Sequence, residues 1–263
     1  MEGLRALRGV TPENVQFAEG GHAVDGIHTL GVLTRDSCVV TGKTGPRKPI
    51  VSDILEALCA RAEQLGARHF CFMNADILLS QEAVDWMAAT EYEAWLFSRE
   101  DFDGASGTSL GMATAGMDVI ALTTGWWRQH RARFRSYIAG EAVWDNVYTA
   151  LVMCHARAVL ENRRPLVRHE AHPAAWTPGN GPYARYTQYL AARDARYFSL
   201  WCRYWDELQA VRRRGGDEHA ERALAQDVFV WDPGPRARVL QHLRDVKAAL
   251  RYRLRLPLVP SAP

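Results

Sequence analysis

Apolar residues along this chain of 263 residues fall into blocks whose period changes repeatedly. From Ile50 the repeat is helical: Ile50, Ile54, Leu58, Ala62 and Leu65 recur at three- or four-residue spacing, and Gly66 supplies a stop. Directly after it, "HFCFM" (His69–Met73) is a short continuous apolar run, as in a strand covered on both faces. Ser80 is a natural N-cap for a helix over "QEAVDWMAAT", and "YEAWLFS" reads as the next strand. "REDFDGASGTS" is rich in Asp, Gly and Ser and reads as a loop, leading into "MDVIALTTGWW", which is strand-like before it turns. Residues 141–160 read as a helix with Val147, Leu151 and Cys154 on one face, and "RPLVRHE" starts as a short strand. From Tyr183 onward the pattern is helical apart from a break at "WDPGP" (Trp231–Pro235). At the other end, "MEGLRALRG" reads as a short helix, "ENVQFAEG" as a strand, and residues 27–40 hold a second short strand. An α/β domain usually opens on a strand, so the beginning looks clipped.

Helix, glycine, strand and then polar residues is the pattern of a mostly parallel central sheet flanked by helices. The expectation is therefore an α/β domain over residues 1–182 and a helical, basic C-terminal extension over residues 183–263. In parallel sheets ligands bind at the carboxyl ends of strands. Asn74 and Asp76 follow "HFCFM" at that place, two oxygen-bearing side chains at i and i+2 that can reach one hard cation or one phosphate-bearing ligand. Turn formation and capping of the next segment is the plainer account of the same residues.

Composition narrows the classes. A formal charge of +2, with 48% hydrophobic and 24% charged residues, is ordinary for a globular protein and gives no global attraction to nucleic acid. The basic residues crowd late, in "RRRGG" (Arg212–Gly216) and "RARVLQHLRDVKAALRYRLRL" (Arg236–Leu256). Five cysteines without a CxxC pair fit reduced thiols and a cytoplasmic setting. No run reaches the roughly 18 apolar residues of a membrane span.

The ordered stretch "GPRKPIVSDILEALCARAEQLGARHFCFMNADILLS", followed by "GMDVIALTTGWW" and "WDN" (Trp144–Asn146), resembles GT-A-type glycosyltransferases over roughly residues 40–180. In that family a helix after a basic, Gly-containing loop leads to a strand ending in a DxD-like motif, written here Asn-Ala-Asp. The resemblance implies a GT-A-like fold and a nucleotide-sugar donor whose diphosphate is held through Mn²⁺ or Mg²⁺, with Asp76 as main metal or diphosphate ligand and Asn74 on the donor ribose or the metal. The downstream "RHEAHPAAW" matches the family's second metal contact, from His172 or His169. Pro173 argues against a helix there, and off a helix only one of two histidines at i and i+3 would face one site. Asp145 corresponds to the base of inverting relatives, with Glu141 one turn earlier and Asp118 as an acceptor contact. Asp145 at a helix start is also explained by the helix dipole.

"GKTGPRKP" departs from GxxxxGK[ST], so it is no P-loop, but Lys43, Arg47 and Lys48 can neutralise a diphosphate by charge; a solvated basic loop is the alternative. Trp144 and Trp176 are candidates for stacking on an acceptor sugar, although most tryptophans line cores. The C-terminal stripe Val239, Leu243, Val246 and Leu250 suits docking back on the domain or lying on an anionic membrane surface. The overall expectation is a cytoplasmic glycosyltransferase of surface-polysaccharide or glycoconjugate synthesis, acting on a carbohydrate or lipid-linked acceptor. The alternatives are a metal-dependent nucleotidyltransferase and a non-catalytic nucleotide- or glycan-binding GT-A-like domain.

Overall fold

The computed structural model describes residues 6–172, 181–231 and 234–255. Its elements run β1 (Glu13–Phe17), β2 (His28–Leu33), α1 (Ser37–Thr41), α2 (Val51–Gln64), β3 (His69–Met73), β4 (Ile77–Leu79), α3 (Gln81–Ala89), β5 (Ala94–Phe97), β6 (Arg99–Phe102), β7 (Ser109–Ala113), β8 (Val119–Thr123), α4 (Thr124–His130), α5 (Trp144–His155), β9 (Ala158–Glu161), β10 (Val167–Glu170), α6 (Ala184–Arg193), α7 (Ala195–Arg213), α8 (Glu218–Val228) and α9 (Pro235–Arg253). The chain forms two compact units. The first comprises Met1–Asp36, Pro49–Ser136 and Ala156–Ala174, and the second Ser37–Lys48, Tyr137–His155 and Ala175–Pro263. The division does not fall at residue 182: α5 packs on α7, and Tyr137 donates to Asp194 at 3.2 Å, so these earlier segments join the helical C-terminal part.

In the first unit the signals near α2 and α3 act locally. Gly66 takes φ +66° and lets Ala67 N–H reach Ala62 O at 2.8 Å, which closes α2. Ser80 accepts from Ala83 N–H at 3.1 Å and starts α3. The main sheet has the order β3-β8-β5-β9 and a second one the order β4-β10-β6-β7, while β1 and β2 pair in parallel by themselves.

These sheets are mixed, not mostly parallel. Pairs β5·β9 and β10·β6 are parallel, whereas β3·β8, β5·β8, β10·β4 and β6·β7 are antiparallel. The reason lies in "REDFDGASGTS", which is a hairpin rather than a loop: β6 and β7 carry the chain back, so β8 enters between β3 and β5 in the reverse direction without a crossover helix. Strands β3, β5 and β9 still share one direction, so their carboxyl ends meet the start of β8 at one edge. "HFCFM" is the edge strand, with Phe70 and Phe72 buried and its other residues half-buried. The strands covered on both faces are β5 and β8, where Trp95 and Phe97 join Val119 and Ala121 against Ala83 and Met87 of α3.

The second unit is helical. α6 and α9 pack together, as do α5, α7 and α8 in sequence around Tyr148, Trp201, Tyr204 and Leu208. All five cysteines are unpaired. Among the described residues no helix is long and apolar enough to cross a membrane.

Leu96 is fully buried in β5. Leu96→Ala is expected to lower unfolding free energy by about 2–5 kcal/mol, measured by urea denaturation; a loss near zero would contradict its central position.

Candidate metal centre

The site begins as a pairing problem. Asp76 lies in the turn between β3 and β4, which Ile77 N–H closes onto Asn74 O at 3.2 Å. Next to that turn, β4 pairs antiparallel with β10, placing Ile77 opposite His169. On its other side β10 runs parallel to β6, with His169 opposite Asp101 and Arg168 opposite Glu100. Alternation along a strand puts Arg168 and His169 on opposite faces. Arg168 binds Glu100 at 2.9 Å on one face, and on the other His169 Nδ1 meets Asp101 Oδ1 at 2.9 Å.

Asp76, His169 and His172 therefore converge. His172 Nε2 lies 3.1 Å and His169 Nε2 3.4 Å from Asp76 Oδ2, and the two imidazole Nε2 atoms are 3.2 Å apart. Both histidines reach the site without a helix, because His169 lies on a strand and His172 two residues beyond its end; the i, i+3 argument for one alone does not hold. Asp101 accepts the Nδ1 proton of His169, which turns the Nε2 lone pair toward Asp76 and His172. His169 is 7% exposed, so its ring is held by packing as well, while Asp76 and His172 are open to solvent.

The network extends inward. Arg99 Nε donates to Asp101 at 2.7 Å and its Nη1 to Asp118 at 2.7 Å. Burial pushes the Asp118 carboxyl above the ordinary carboxylate range, against the pull of Arg99. Burial also pushes Asp76 up, yet the hydrogen bond from His172, a backbone N–H and the nearby imidazoles outweigh it and hold the carboxyl below its usual value. In this network Arg99 is joined to two carboxylates, Asp101 and Asp118, and Asp76 adds a third beside the two imidazoles.

The donor set fits such an ion. Ligands on neighbouring corners around an octahedral ion with bonds of about 2.1 Å stand about 3 Å apart, close to the 3.1–3.4 Å between these three atoms. Asn74 and Asp76 alone suggested hard oxygen ligands; two imidazoles add nitrogen, which moves the fit from Mg²⁺ toward Mn²⁺ and its neighbours in the first transition row.

The remaining predicted residues are placed as follows. Asn74 is exposed at the turn, and Asp118 serves Arg99. In the second unit Lys48 Nζ binds Glu141 at 2.7 Å and Lys43 Nζ donates to Pro182 O at 3.0 Å; Arg47 is on the same loop. Asp145 occupies the first turn of α5. Two residues before it, Val143 has φ +78°, a left-handed conformation that β-branched residues rarely take. Trp144 is 8% exposed and sits edge-on to Tyr148, so packing accounts for it. Trp176 lies outside the described residues.

The sequence pattern does not mark Arg99 and Asp101, because "REDF" opens a stretch with the composition of a loop. The Asp103-Gly104 pair after it was the available hairpin signal. A Cβ at Gly104 would stand 1.9 Å from Oε1 of the exposed Glu170 side chain at the end of β10, which would have to swing aside.

No protein-family model, no curated protein and no solved structure matches the chain.

Arg99→Met would leave Asp118 with its half-buried charge unpaired. The expected loss of stability is about 1–3 kcal/mol at neutral pH. Because the folded-state pKa of Asp118 is raised, the deficit should shrink as pH falls and Asp118 takes a proton, and Arg99→Met/Asp118→Asn should recover part of it. Denaturant unfolding across pH checks both; a deficit that grows on acidification would contradict the assignment.

Proposed function

We propose that this protein is a metal-dependent glycosyltransferase of GT-A-like type that moves a sugar from a nucleotide-sugar donor to a carbohydrate or lipid-linked acceptor. The observation that carries the reading is the meeting of Asp76, from the Asn-Ala-Asp motif, with His169 and His172 at 3.1–3.4 Å. The order of the segments supports it as well, since an acidic motif at a strand end and a histidine contact far downstream occur together.

Asp76, His169 and His172 would hold Mn²⁺, or less readily Mg²⁺, which when bound neutralises charge on a departing diphosphate. Asp101 keeps His169 in the tautomer that presents Nε2, and Arg99 holds Asp101 in place. Asp118 sits at the amino end of β8, at the sheet edge where the carboxyl ends of β3 and β5 also lie, and there would anchor Arg99. By the family resemblance, Asp145 of the second unit is the residue that would take the proton of the attacking hydroxyl if the configuration inverts. Product would be used in surface-polysaccharide or glycoconjugate synthesis.

Titration calorimetry with a panel of nucleoside diphosphates, with and without Mn²⁺, tests the reading. Metal-dependent binding of at least one nucleotide is expected, and Asp76→Ala should abolish it. Absence of binding by every nucleotide would overturn the assignment of the activity. A separate measurement addresses the ligand set: Asp101→Asn is expected to weaken Mn²⁺ affinity by about 10–100-fold, and unchanged affinity would remove Asp101 from its supporting role.

A further inference from the structure

Helix α9 carries two unlike faces. One is packed on α6: Ala248 is buried, Gln241 donates to Arg193 O at 2.5 Å, Tyr252 stacks on Tyr189 with centroids 4.5 Å apart, and Arg185 donates to Arg251 O and Tyr252 O at 3.1 and 3.2 Å. The face that the sequence pattern marked for docking is the opposite one. Val239, Leu243, Val246, Leu250 and Leu254 recur every three or four residues, and they are 44–65% exposed, with Leu240 beside them at 54%. These six make up half of the twelve exposed large hydrophobic residues among the described residues, concentrated on a single helix.

The charges around the stripe have one sign. Between Gly234 and Arg255 the sequence has seven Lys and Arg and one acid, Asp245. Asp245 is turned to the packed face, where it accepts from Gln241 at 3.1 Å and lies 3.8 Å from Arg193. On a helical projection Lys247, Arg251 and Arg244 border the stripe on one side and Arg253 and His242 on the other. No carboxylate of α9 faces outward with them.

We propose that this face of α9 lies on a bilayer rich in anionic lipids, with the leucine and valine stripe entering the acyl boundary and the flanking cations meeting phosphate headgroups. Complementarity of charge selects this occupant. A second copy of the chain would bring like-charged borders together, which opposes pairing, whereas an anionic surface satisfies both the apolar stripe and its cationic rim. The inference rests on α9 alone and stands or falls independently of the metal centre.

Cosedimentation of the full chain with vesicles of phosphatidylglycerol, and in parallel with vesicles of phosphatidylcholine, tests it. Binding to the anionic vesicles that weakens with added salt is expected. Leu243→Gln/Leu250→Gln, at exposed positions that leave the fold intact by circular dichroism, is expected to weaken binding at least about tenfold. Binding that ignores this double variant, or that is equally strong on phosphatidylcholine, overturns the proposal. So does a concentration-dependent dimer in analytical ultracentrifugation that the same double variant disperses, because the stripe would then be the face between two copies.

Discussion

The candidate centre depends on the pairing of β10 with β4 on one side and β6 on the other. Val167 and Ile77, both buried, hold the register. A slip of one residue would turn every side chain of β10 to the other face, putting Arg168 or Glu170 where His169 stands. Asp76 would then face a guanidinium or another carboxylate, and neither could share a cation with it. A few apolar contacts thus decide which side chain reaches Asp76.

Behind that pairing stands a chain of alternating charge. Asp101 joins His169 to Arg99, and Arg99 joins Asp101 to Asp118. Each member gives the next a fixed direction, so the ring of His169 is oriented by groups from β6 and from the start of β8 as well as by its own strand. The cluster is open at Asp76 and His172 and closed at Asp118. That gradient of burial leaves solvent access on the side where a ligand would enter.

What could be read in the chain beforehand was what short range determines. Gly66 and Ser80 mark their helix ends because a left-handed cap and a hydroxyl acceptor act within one turn. Asp76 stood out because polar residues after an apolar strand are a local anomaly. Strand direction is different: whether β8 runs with or against β5 depends on the β6–β7 hairpin, and "REDFDGASGTS" hid that hairpin behind loop-like composition. The same limit applies to α9, where periodicity identifies the stripe of Val239, Leu243, Val246 and Leu250, but whether it faces α6 or solvent is decided by Tyr189, Arg185 and Arg193 on another helix.

The contact between His172 and Asp76 joins residues 96 positions apart. The entropy of bringing chain ends together grows only with the logarithm of their separation, about 0.6 kcal/mol for each doubling. Drawing ligands from the two ends of a long segment therefore costs about 3 kcal/mol more than drawing them from one turn of a helix would. It also leaves the intervening residues, which include the β6–β7 hairpin, free to change length at slight thermodynamic cost so long as the strands that flank them keep their partners.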